Sequence, residues 1–253
     1  MSLYRTNVIV LKSRNLGEAD RILMLLSEDL GKFQAVVKGA RRERSRFVGS
    51  TLSFNYLKAM FFNGKNLDTL SQAELIHPFS KLREDLTTLA YASFWVELID
   101  GFVPERVEVK EVFHFLLAAF LTLEQTADPA LLNLAFEIRL LNYLGYQPEL
   151  DVCTACRQPV DTNAGLEIFY FSANIGGVIC GNCRLQHSGL IQVNPAQLRL
   201  MKTLATTDIR KLAMMNGGSD DYKIIGTILR EFIEVRLERP LKSRVFLDNL
   251  LSL

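Results

Sequence analysis

The sequence predicts an α+β fold, and three observations carry that reading. Five short runs rich in Val, Ile, Leu and Phe crowd into the first 78 residues. After Pro78 the apolar residues recur at three- and four-residue spacing. Two Cys-x-x-Cys pairs then interrupt the helical part. The expected organisation is a five-stranded β-barrel over 1–78, the first part of a mainly helical domain over 79–150, an embedded four-cysteine module over 151–190, and the C-terminal helical part over 191–253.

Each element has its own signal. Tyr4–Ser13, Arg21–Ser27 and Lys32–Lys38 read as strands separated by Asn15-Leu16-Gly17-Glu18 and Glu28-Asp29-Leu30-Gly31. Leu52–Phe62 and Asn66–Ile76 form a further pair across Asn63-Gly64, a strong hairpin dipeptide. Five strands in 80 residues suit a small closed barrel; an oligonucleotide/oligosaccharide-binding (OB) barrel is the commonest polyanion-binding form, and an SH3-like barrel stays open on pattern alone. Leu82, Leu86, Leu89, Ala90 and Phe94 make one amphipathic stripe, and Val109–Glu124 makes another. Asp128-Pro129 and Asn194-Pro195 each place a capping residue before a first-turn proline. Met214–Ser219 reads as a flexible break before a helix over Tyr222–Arg239 that Pro240 stops. His77 is expected to start a helix, and Phe94 and Trp95 to sit in a core.

Composition excludes several classes. With 253 residues, 49% hydrophobic and 23% charged, the chain builds a core of its own and is not intrinsically disordered. Its longest strongly apolar run, Val112–Leu123, is about half of what a spanning helix needs and is interrupted by His114. A soluble, cytoplasmic protein with reduced cysteines is expected. The net charge of +1 hides an asymmetry: residues 1–80 carry twelve Lys/Arg against seven Asp/Glu, and residues 81–150 carry five against eleven. A front third at +5 attracts polyanions; a middle at −6 does not.

Cys153-x-x-Cys156 and Cys180-x-x-Cys183 lie 23 residues apart. Two such knuckles set four thiolates around one tetrahedral Zn²⁺. Four cysteines close the coordination shell, so the metal is expected to fold the region and to carry no reaction. His187 offers a substitute ligand.

The segment Lys38-Gly39-Ala40-Arg41-Arg42-Glu43-Arg44-Ser45-Arg46 holds five cations and one anion directly after a strand. It reads either as a solvated loop or as a phosphate-gripping one, since the planar Arg fork matches phosphate. Phe33, Phe47 and Tyr56 offer stacking faces for unpaired bases or belong to the barrel core. Glu18 and Asp20 form a carboxylate pair without a third acid or histidine, and are expected to cap a turn. No phosphate-binding Gly-rich loop, dinucleotide fingerprint or nucleophile elbow occurs. An enzyme is not expected.

These residues together resemble the bacterial RecO recombination mediators over essentially the full length. The resemblance lies in Glu18-Ala19-Asp20-Arg21, Leu30-Gly31-Lys32, Val37–Arg42 with Ser45-Arg46, Leu144–Leu150 before the first knuckle, Gly176–Cys180 at the second, and Leu241–Arg244 with Phe246-Leu247. It implies an OB barrel, a helical body and a zinc module. It also implies binding to single- and double-stranded DNA, annealing of complementary strands, and work with RecR that helps RecA replace single-strand-binding protein, whose acidic C-terminal tail contacts the helical body. No membrane partner and a nucleoid-associated place in the cytoplasm follow. On this reading the DNA face is Lys32, Lys38, Arg41, Arg42, Arg44 and Arg46, with Arg14 as an addition. Lys242 and Arg244 either extend the basic surface or hold the C-terminal helices by ion pairs. Two alternatives remain at this point: a zinc-ribbon RNA- or protein-binding adaptor, and a nuclease using Glu18 and Asp20.

Overall fold

The computed structural model describes residues 2–162, 168–214 and 220–251. The expected break at 214–219 therefore lies, from 215 onward, outside the described residues.

Five strands form first: β1 (Leu3–Leu16), β2 (Asp20–Ser27), β3 (Gly31–Val37), β4 (Tyr56–Phe62) and β5 (Asp68–His77). They close into a barrel in the order β1-β2-β3-β5-β4. Every pairing is antiparallel except β3 with β5. This order with one parallel pair is the OB topology that the sequence predicts, and it removes the sheet edges.

The two-residue period of a strand explains the core. Val8 and Val10, Leu23 and Leu25, Phe33 with Ala35 and Val37, and Leu57 with Ala59 and Phe61 all turn into one apolar cluster. Ile9 faces the other way and is buried too. Phe54 and Tyr56 set their rings edge-on against Phe120 and Phe113 of a helix that covers this side. Phe33 and Phe47 thus belong to the core and are not offered to bases. Tyr56, half-buried on Phe113, is committed in the same way.

Four helices follow: α1 (Lys81–Glu84), α2 (Leu86–Phe102), α3 (Lys110–Leu123) and α4 (Pro129–Tyr143). The single stripe expected from Leu82 breaks at Asp85, which leaves helical geometry at φ −106°, ψ 133°. Its carboxylate accepts the Thr88 N–H at 2.8 Å and caps α2. Asp128 caps α4 in the same way, at 2.9 Å from the Leu131 N–H. Phe94 and Trp95 are fully buried, as expected. His77 does not start a helix: it ends β5 and lies 3.0 Å from Glu124.

Three short strands, β6 (Phe169–Ser172), β7 (Gly177–Ile179) and β8 (Ile191–Val193), pair in the order β7-β6-β8. Then come α5 (Pro195–Thr206), α6 (Asp220–Leu237) and α7 (Lys242–Leu251). Asn194 and Gln197 exchange side-chain bonds with each other's backbone N–H at 2.8 and 2.9 Å, a capping box at the start of α5.

The chain divides into two compact units, one running to Glu124 and resuming at Ser243, the other covering Gln125–Lys242. In the first, Glu97 of α2 accepts the Ser243 N–H at 2.7 Å and the Ser243 hydroxyl, which fixes the start of α7 beside the barrel's helices. The second holds the cysteines and the small sheet. Among the described residues, no helix is long and apolar enough to cross a membrane.

Candidate nucleic-acid interface and metal centre

The basic segment leaves β3 through Gly39, whose backbone sits in the left-handed region at φ 67°. Only glycine adopts that conformation without steric cost. The Gly39 N–H donates to the Asp20 carboxylate at 2.7 Å, so Asp20 spaces a turn, the role expected for it. The Arg41 N–H donates to the Ala19 carbonyl at 2.9 Å, and its guanidinium donates to the Gly17 carbonyl at 2.6 Å. The loop after β3 and the β1–β2 turn are therefore tied together at one end of the barrel.

Lys38, Arg41, Arg42, Arg44 and Arg46 are all exposed on this loop. Arg46 donates to the Ser71 carbonyl at 2.7 Å and lies 4.9 Å from the centre of the Phe47 ring. Lys38, Arg42 and Arg44 have no side-chain partner among the described residues. A guanidinium carries five donors, so Arg41 and Arg46 keep most of theirs for an incoming anion.

Lys32 stands apart from this set. It is buried, and its ammonium donates to the Asp100 backbone carbonyl at 2.6 Å and to the Asp100 carboxylate at 3.2 Å. Phe33 points into the barrel, so strand alternation sets Lys32 on the outer face, where Asp100 of α2 covers it; a paired charge is tolerated there and a free one is not. Arg244 is also committed internally. Its side chain is 11% exposed, pairs with Asp248 at 3.2 Å and lies 5.3 Å from the Phe94 ring centre. Lys242, two residues earlier, is exposed.

Arg14 lies elsewhere on the barrel, and sequence reasoning missed what it belongs to. Register sets Lys12 opposite Met24, Arg14 opposite Ile22, and Met24 opposite Gln34. With Asp100 these residues line a groove of about 570 Å³ on the outer face of β1, β2 and β3. The available signal was the outward pair Lys12 and Arg14, two residues apart on one strand.

At the β4–β5 end, Asp68 is fully buried. It accepts the Tyr4 hydroxyl at 2.5 Å, the Arg106 guanidinium at 2.7 Å and the Gly64 N–H at 3.0 Å. Burial alone would raise its carboxyl, but these three donors hold it below the ordinary range. Burial and the Asp68 charge push the Tyr4 phenol up. This triad ties β1, β5 and the segment after α2 together.

The four cysteines lie on turns flanking the small sheet. Cys153 opens a turn closed by its N–H bond to the Gln158 carbonyl and by the Arg157 N–H bond to the Cys153 carbonyl, both 2.8 Å. Cys180 follows β7, and the Cys183 N–H donates back to its carbonyl at 3.1 Å. Gly177 lets the two turns approach: a Cβ there would lie 2.4 Å from the Glu149 carbonyl oxygen. The Sγ atoms of Cys153, Cys156, Cys180 and Cys183 all lie within 4.8 Å of one another, with Cys156 and Cys180 3.8 Å apart. Four ligands at about 2.3 Å around a tetrahedral centre require S···S separations of about 3.8 Å, so the set fits a metal ion. His187 is not part of this cluster, and no second cluster occurs among the described residues.

The electrostatics agree. Burial raises the Cys153 thiol, but N–H groups of Cys156, Cys180 and Ala155 more than offset this and bring it down to about 6. Hydrogen bonds with Cys156 and Cys180 push Cys183 up to about 12. Four crowded thiols cannot all ionise by themselves; a bound dication allows it.

Comparison with known proteins places the chain. The family model described as Recombination protein O N terminal matches residues 1–79. The one described as Recombination protein O C terminal matches residues 83–245. The DNA repair protein RecO of Symbiobacterium thermophilum is 40% identical over 100% of this chain and 99% of its own length. That of Pelotomaculum thermopropionicum is 35% identical over 98% and 95%. With a five-stranded OB barrel, a helical body and a cysteine cluster also in place, the chain belongs to the RecO family of DNA repair and recombination proteins.

Proposed function

We propose that the protein is a recombination mediator that changes no covalent bond. The barrel binds single- and double-stranded DNA without regard to sequence. One observation carries this: five exposed cations on a single loop, clamped to the β1–β2 turn, in a chain of the RecO family. Sequence-independent affinity comes from phosphate neutralisation and release of counterions. Two complementary strands repel each other, and a cationic surface that screens both lets them pair. Annealing therefore needs neither a nucleophile nor nucleotide hydrolysis.

The partners follow from the same reading. Acting with RecR, the protein helps RecA displace single-strand-binding protein, whose acidic C-terminal tail docks on the helical body. The protein works in the cytoplasm, at the nucleoid. Cys153, Cys156, Cys180 and Cys183 would hold one Zn²⁺ per chain. When bound, that ion supplies a closed structural centre joining the two turns. The cysteines themselves orient the turns, and the backbone N–H of Cys180, 3.3 Å from the Cys153 sulfur, steadies that thiolate.

The experiment is an annealing assay with two complementary oligonucleotides carrying a fluorophore and a quencher. Addition of protein should accelerate quenching several-fold at low salt, without metal-dependent cleavage of either strand. No acceleration at concentrations that saturate DNA would remove the annealing role.

A further inference from the structure

The four clustered cysteines are not equivalent. Cys153 is fully buried and its sulfur accepts the Cys180 N–H at 3.3 Å, so solvent does not reach it. Cys156 is exposed, and Cys180 and Cys183 are half-buried. The Cys156 sulfur lies 3.8 Å from that of Cys180, which belongs to the other turn. Arg157 and Arg184 directly follow Cys156 and Cys183 in the chain and are both exposed. An exposed sulfur in electropositive surroundings is the kind that oxidises first. The backbone also sews the two turns together. The Thr154 N–H donates to the Val178 carbonyl at 2.8 Å, the Val178 N–H to the Glu149 carbonyl at 2.9 Å, and the Glu149 N–H to the Gly176 carbonyl at 3.0 Å. None of these bonds passes through a sulfur, so they keep the turns adjacent when a metal ligand is consumed.

We propose that Cys156 and Cys180 are a reversible oxidation site, at which a peroxide joins them in a disulfide and frees the zinc. This rests on the structural-zinc reading above and gives that centre a modification which a purely structural ion lacks. The Cys156 thiolate attacks one peroxide oxygen; the O–O bond breaks, hydroxide leaves and Cys156 becomes a sulfenic acid. The Cys180 thiolate attacks the Cys156 sulfur; the S–O bond breaks and a second hydroxide leaves. Two thiolates have lost two electrons to the peroxide, and both hydroxides take solvent protons to become water. Cys153 and Cys183 remain, too few to close a tetrahedral shell. A dithiol reductant returns both thiols, and the site refills.

The test uses the full-length protein, hydrogen peroxide and a chromogenic chelator that reads released zinc, after the zinc content of the purified protein has been measured. Peroxide should release the zinc in step with disulfide formation, and tandem mass spectrometry of the unreduced digest should join Cys156 to Cys180. Dithiothreitol with added zinc should restore the metal content. Cys156→His keeps a metal ligand and removes the exposed sulfur, so it should hold zinc and slow the release at least about tenfold. If that variant does not load zinc, the mapping in the wild-type protein decides alone. Zinc that stays bound under peroxide, a disulfide that excludes Cys156, or a loaded Cys156→His protein that releases zinc as fast as wild type would overturn the oxidation site and leave the structural ion intact. Purified protein without zinc would overturn both.

Discussion

Arg41 donates one guanidinium N–H to the Gly17 carbonyl at 2.6 Å, while its backbone N–H reaches the Ala19 carbonyl at 2.9 Å. One residue thereby fastens the loop that carries the positive charge to the turn at the end of the barrel. A loop left to solvent would lose chain entropy on gripping a phosphate backbone. This one has already lost much of it on folding, so on the proposed function its cations would meet DNA in a fixed arrangement.

The double variant Arg41→Glu, Arg42→Glu replaces two exposed cations with two anions. Affinity for single and double strands should fall together, by at least tenfold near physiological salt, and the salt dependence should flatten by about one to two counterions. Both side chains are exposed while Ala40 and Phe47 keep the loop's core contacts, so thermal unfolding should move little. Anisotropy titrations at several salt concentrations measure this; unchanged affinity would remove the loop from the interface.

Lys32 supplies the opposite control. Its ammonium is enclosed and bonded to Asp100 twice. Lys32→Met should cost about 1–3 kcal/mol of stability, because the Asp100 carbonyl and carboxylate lose a buried charged partner. DNA affinity should stay within about twofold. Urea unfolding and anisotropy separate the two effects, and a loss of affinity at unchanged stability would contradict the assignment.

If the proposed ion binds, Cys180→Ser should lower the metal content of the purified protein and its unfolding temperature, because metal binding is folding energy for such a module. Chelator treatment of the wild-type protein should do the same. Metal analysis beside a thermal scan provides the check; full stability without metal would refute a structural ion.

The Tyr4–Asp68–Arg106 triad makes stability depend on pH. The Asp68 carboxyl is held below its ordinary range, so its contribution is present at neutral pH and is lost as pH falls below about 4. The raised Tyr4 phenol acts at the other end, and its contribution is lost as pH climbs above about 10. Asp68→Asn should therefore destabilise the protein at pH 7, with the difference from wild type shrinking in acid. Denaturant midpoints across the pH range test this; a pH-independent difference would speak against a charged Asp68.

Much of this was legible in the residues. Five Val-, Ile-, Leu- and Phe-rich runs separated by polar breaks announced a barrel, and two Cys-x-x-Cys pairs 23 residues apart announced a metal cluster. Lys32 was misplaced because its partner, Asp100 of α2, lies 68 residues away in sequence, and nothing local shows that a helix covers that face. Phe47 was equally ambiguous, since an aromatic next to arginines packs inward or stacks on a base with the same local pattern. The groove of Lys12, Met24 and Gln34 joins three strands, so no single stretch of sequence displays it. β8 is three residues long, too short for a period to register.

The most direct test of the central claim is fluorescence anisotropy of a labelled 30-nucleotide single strand titrated with wild-type protein across a series of salt concentrations. Neutralisation of about three to five phosphates predicts tight binding at low salt and a log–log slope of roughly −2 to −4. Absent binding, or an affinity indifferent to salt, would contradict a phosphate-gripping barrel.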